Sequence, residues 1–110
     1  MDDYMEYEKL EPIAPGQILL TEFMEPRHIT SDRLAIDLGL SASHVDMLIQ
    51  GRHHITVETA IRLATYFGNS VQFWLNLQNA YDLELSERTG KYAEIAALVL
   101  RPAPVVMERV

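Results

Sequence analysis

The sequence predicts an all-α fold: five helices built around a helix-turn-helix, with a short C-terminal extension. Three observations predict it. Apolar residues recur at helical spacing through most of residues 14–88. A serine or threonine able to cap a helix stands ahead of four of these segments, at Thr30 or Ser31, Ser41, Thr56 and Ser70. Glycines follow the last apolar positions, at Gly39, Gly51 and Gly68, where a helix stops in the left-handed conformation.

The elements follow in order. Residues 1–13 form an acidic N-terminal arm without a clear period. Helix 1 is expected to start near Pro15, to pack through Ile18, Leu19 and Phe23, and to end at Pro26. Helix 2 runs from about Ser31 to Leu38 with Leu34, Ala35 and Leu38 on one face. Helix 3 starts after Ser41 and turns Val45, Leu48 and Ile49 inward. Helix 4 is expected to pack through Val57, Ala60, Ile61, Ala64 and Phe67. Helix 5 shows Val71, Trp74, Leu75, Gln78, Tyr81 and Leu85 at helical spacing and closes at Thr89-Gly90. The helix-turn-helix domain thus covers residues 14–88. Residues 89–110 form an extension in which KYAEIAALVL reads as a helix or partly a strand, and the proline-bearing RPAPVVMERV as extended chain.

Bulk properties narrow the function. A chain of 110 residues suits one domain. With no cysteine there is neither a disulfide nor a thiolate site, and a reducing, cytoplasmic setting is expected. The polar start MDDYMEYEKLE is unlike a signal peptide, and no apolar run reaches membrane-spanning length, so no membrane partner is expected. The net charge of −7 opposes phosphate binding. Much of that excess is local, because residues 1–11 hold five acids and one lysine.

Residues 30–51, TSDRLAIDLGLSASHVDMLIQG, carry the functional signal. Two capped helices joined at Gly39 make the device that lays its second helix in the DNA major groove. With Val45, Leu48 and Ile49 inward, Ala42, Ser43, His44, Asp46, Met47 and Gln50 must face out. Ser43, Met47 and Gln50 form one stripe. Gln50 suits adenine or a backbone oxygen, and Met47 and Ala42 suit a thymine methyl. Ser41 and Ser43 are small enough for close approach. Arg52 suits a phosphate, and Ser31 and Arg33 can hold the other strand. An ordinary helical hairpin remains the plain alternative.

Other constellations carry less. Trp74, with Phe67, Phe73 and Tyr81, reads as core packing or a dimer seam rather than a ligand box. The expected seam comprises Trp74, Gln78, Tyr81, Leu85, Ile95 and Leu98. His44, His53 and His54 lack metal-ligand spacing, so no metal is expected. No nucleophile motif, phosphate loop or acid pair appears, which points away from an enzyme, and no cofactor is expected.

Residues 30–68 resemble the Xre-type, lambda-repressor-like helix-turn-helix. The flanks APGQILLTEFMEP (14–26), ITVETAIRLATYFG (55–68) and FWLNLQNAYDL (73–83) are similar to the HigA or VapI plasmid-maintenance antidote group. The resemblance covers about residues 13–85. It implies a homodimeric, operator-binding antitoxin that represses its own operon and neutralises a basic toxin of the HigB/RelE mRNA-endonuclease type. It places the base-reading positions at Ser41, Ala42, Ser43, His44 and Met47, and phosphate contacts near Ser31, Gln50 and Arg52, with His53 beside them. The acidic balance fits a basic partner. His53-His54 stands where many relatives carry Arg or Lys. A solitary Xre-type regulator, or an interaction module that has lost DNA binding, are the alternatives.

Overall fold

The computed structural model describes residues 11–106. The acidic arm therefore falls almost wholly outside the described residues, and residues 11–14 have no regular structure. Six helices and no strand occur among the described residues. Helix α1 is a composite of α-helix Pro15–Ile18, π-helix Leu19–Met24 and 3-10 helix Glu25–Arg27. Then come α2 (Ser31–Leu38), α3 (Ala42–Ile49), α4 (Val57–Phe67), α5 (Val71–Arg88) and α6 (Lys91–Ala97). The extension that left helix and strand open is helical over α6, giving six helices where five were expected.

Local chemistry explains the boundaries. Thr30, Ser41, Thr56 and Ser70 each accept a hydrogen bond from the backbone N–H three residues on, at Arg33, His44, Thr59 and Phe73. Each such cap satisfies one of the donors a helix start leaves free. Gly39 and Gly68 stop α2 and α4 at φ of 73° and 76°, where a side chain would be strained. Pro26 does not end α1 as expected. It lacks the N–H that would continue the ladder, so the helix widens ahead of it and tightens into the 3-10 turn that contains it. His28, at φ 56°, makes the actual stop.

The core joins α1 to α5. Leu19, Met24, Leu34, Val45, Leu48, Leu63 and Trp74 are fully buried. Trp74 is their largest member. Its indole N–H donates to Asn69 Oδ1 at 2.8 Å, so the ring sits inside without leaving a polar group unpaired. Phe23, Phe67 and Phe73 surround it, with ring centroids 4.8, 6.1 and 5.1 Å away. Arg27 lies over the Phe23 and Phe67 rings and donates to the Phe23 carbonyl.

The buried face of α4 differs from the expected one. Val57 and Ile61 are 58% and 49% exposed, and the buried positions are Thr59, Ala60, Leu63 and Ala64. Thr59 fits inside because its hydroxyl and that of Thr56 bond each other in the capping turn.

Beyond Gln78 the chain leaves the core. No residue from 79 to 106 is buried, and α6 packs mainly on the end of α5. Among the described residues, no helix is long and apolar enough to cross a membrane.

Candidate nucleic-acid interface

Gly16 seats α1 directly on the backbone of α3. A Cβ at Gly16 would overlap the Leu48 carbonyl and come within 2.9 Å of Ile49 Cα. Only glycine permits that approach. From the other side α2 holds α3 through the shared core of Leu34, Ala35, Leu38, Val45 and Leu48. The Arg62 guanidinium of α4 donates to the Leu38 carbonyl at 2.6 Å, satisfying an end group of α2. Tyr66 O–H donates to Asp37 Oδ2 at 2.7 Å across the same seam. That bond holds the Tyr66 proton and raises its pKa above the usual tyrosine value, with desolvation and the Asp37 charge adding to it and Arg33 opposing.

Held this way, α3 buries Val45 and Leu48 and leaves Ala42, Ser43, Asp46 and Gln50 exposed, with Met47 half-buried at the edge. The exposed surface is one of short or uncharged side chains broken by one acid, Asp46. Ser41 is exposed. Its oxygen accepts the His44 N–H at 3.0 Å and its proton stays free to donate. At the start of α2, Ser31 is the first helical residue and half-buried, since Thr30 is the cap. Arg33 is exposed but paired with Asp37 at 3.1 Å, one turn along its own helix. Arg33 can therefore reach a phosphate only by giving up an intrahelical ion pair, which is worth little at an exposed site.

The loop from α3 to α4 folds back onto α3. Gly51 makes the turn at φ 78°. The N–H groups of Arg52 and His53 donate to the Met47 carbonyl at 2.8 and 3.2 Å. Arg52, His53 and His54 are all exposed. The His53 ring lies 4.8 Å from the His44 ring, tilted by 39°. This pairing is not visible in the sequence, and it joins a position expected to read bases to a loop position. Among the described residues, no group of three or more His, Cys, Asp or Glu is placed to hold a metal ion.

The expected dimer seam divides. Trp74 is fully buried and Gln78 is 6% exposed, so both serve the core of their own chain. They cannot face a partner without being pulled out of that core. Tyr81 is half-buried, whereas Leu85, Ile95 and Leu98 are exposed at 37%, 53% and 80%, beside Leu83, Tyr92, Val99 and Leu100.

Comparison with known proteins agrees with this arrangement. The family model described as Helix-turn-helix matches residues 20–74. Antitoxin HigA-1 of Vibrio cholerae is 40% identical over 101 residues, covering 92% of each chain. The HTH-type transcriptional regulator YbaQ of Escherichia coli K12 is 42% identical over 98 residues, covering 83% of this chain and 87% of its own. Among solved structures, the Pseudomonas aeruginosa antitoxin HigA with higBA promoter is 37% identical. It covers 86% of this chain and all of its own, with a TM-score of 0.72. The named relatives are antitoxins and regulators rather than enzymes. The chain belongs to the Xre-type helix-turn-helix family, in the group of the HigA antitoxins.

Proposed function

We propose that this chain is the DNA-binding antitoxin of a type II toxin–antitoxin pair. As a homodimer it binds its own operator, with the start of α3 in the major groove, and represses transcription. It also neutralises a basic mRNA endonuclease of the HigB/RelE type. The observation that carries the reading is the exposed edge of α3. Ser41, Ala42 and Ser43 are exposed, the helix is pinned from behind by Gly16, and the similar Pseudomonas aeruginosa antitoxin was solved with promoter DNA. Base contacts fall to Ser41, Ala42, Ser43, His44 and Met47. Phosphate contacts fall to Ser31, Arg33, Gln50, Arg52 and His53.

Arg52 and a few polar groups are a thin phosphate-binding set for one protomer. Two copies double it, provided their α3 helices stand about 34 Å apart. The apolar arm of half-buried Tyr81 and exposed Leu85, Ile95 and Leu98 is the surface proposed to join them. The acidic balance of −7 suits a basic toxin through complementary potentials.

Co-expression with the adjacent gene tests the antitoxin part. If that gene encodes a small basic protein that stops growth alone, this chain is expected to restore growth and to co-purify with it. Failure to rescue contradicts the toxin-neutralising role. The likeness to the Escherichia coli regulator favours a second reading, a solitary transcriptional regulator. That reading requires operator binding with no basic neighbour.

A further inference from the structure

The loop that carries Arg52, His53 and His54 is tied at both ends. Its start is held by the Met47 carbonyl. Its end is Ile55, which is 4% exposed, and whose amide N–H donates to Gln78 Oε1 at 2.8 Å. Gln78 comes from α5, twenty-three residues on, and its Nε2 donates in turn to Asp82 Oδ1 at 3.0 Å. Of the two buried polar residues among those described, Thr59 bonds locally to its own helix cap, whereas Gln78 reaches across the chain. An amide side chain is suited to this place. It offers an acceptor to the Ile55 N–H and a donor to Asp82 at once, and an apolar side chain would leave a buried N–H without a partner.

We infer that Gln78 is a positioning residue for DNA binding: it fixes the loop after α3 so that Arg52 meets a phosphate and the His53 ring lies on His44. Gln78 does not touch DNA. Its effect passes through the Ile55 amide to the loop. This inference rests on the operator-binding reading.

The test uses the full chain and a duplex of the DNA immediately upstream of its gene, read by fluorescence anisotropy over a salt series. Amide exchange and histidine ring resonances are followed by NMR on the same protein. Gln78→Met removes both hydrogen bonds. It is expected to weaken duplex binding by on the order of tenfold and to flatten the salt slope by about one contact per protomer. Ile55 amide exchange should accelerate and the His53 ring resonances should move, while helix content is kept. The pair Q78E/D82N keeps an acceptor at position 78 and places the donor at position 82, so it is expected to restore affinity and Ile55 protection. Gln78→Asn, one methylene shorter, is expected to shift every readout the same way, and serves if Gln78→Met does not fold.

Wild-type affinity and salt slope in Gln78→Met would overturn the inference. So would a loss of affinity with Ile55 exchange and the histidine resonances unchanged. If the wild type itself prefers its upstream duplex no more than unrelated DNA, operator binding is the claim that fails. The NMR readouts then still decide whether Gln78 fixes the loop.

Discussion

The imidazole rings of His44 and His53 lie 4.8 Å apart, one on the first turn of α3 and the other on the loop that follows it. The positions proposed to read bases and those proposed to face phosphates therefore adjoin, with a ring contact across the turn at Gly51. Arg52 is the one arginine of that loop.

An arginine at position 53 would keep a flat group against His44 and add a permanent charge toward the backbone. His53→Arg is expected to tighten operator binding several-fold at low salt, and to steepen the salt slope by about 0.9 per protomer, as one more phosphate contact requires. A salt series of binding isotherms checks it. An unchanged slope would mean that His53 does not face the backbone.

Gly16 sets how closely α1 approaches α3. Gly16→Ala drives a methyl group into the Leu48 carbonyl, and two packed backbones have little room to yield. Overpacking of this kind costs about 1–3 kcal/mol. Urea unfolding is expected to show a lower midpoint with an unchanged slope. Operator affinity should fall as well, because the displaced element is the proposed reading helix.

Tyr66 and Asp37 give the α2–α4 seam a pH dependence. The hydrogen bond to Asp37 raises the Tyr66 pKa, so the folded chain keeps this proton longer than the unfolded chain does. The associated stability is fully present below about pH 10, where both states are protonated. It is lost as pH rises through the folded value. Wild type is therefore expected to lose stability above about pH 10 more steeply than Tyr66→Phe, in denaturation midpoints measured across that range. Parallel curves would contradict the bond.

The helix-turn-helix is legible in the sequence because its signals are local. Thr30, Ser41 and Gly39 punctuate α2 and α3, and Leu34, Ala35, Leu38, Val45 and Leu48 all lie in the core as their spacing requires. The face of α4 was harder. Buried Thr59 reads as polar and exposed Val57 and Ile61 read as core, which turns the apparent face around the helix. Gln78 shares a helical face with Trp74, Tyr81 and Leu85, which is why it is expected in the dimer seam. Its actual partner is a backbone N–H at Ile55, which leaves no mark in the sequence. The His44–His53 contact depends on the chain doubling back at Gly51, and a linear reading does not show which rings then meet.

Ser43 and Met47 test most directly whether the exposed edge of α3 reads operator DNA. Ser43→Glu and Met47→Glu add a negative charge on that edge, outside the buried core of Val45 and Leu48. In mobility-shift titrations on the upstream duplex, wild type is expected to bind specifically. Each variant should lose at least about 100-fold while keeping its helix content, a loss of roughly 2.7 kcal/mol in binding free energy. Wild-type binding no tighter than that of Ser43→Glu and Met47→Glu would contradict DNA reading by α3.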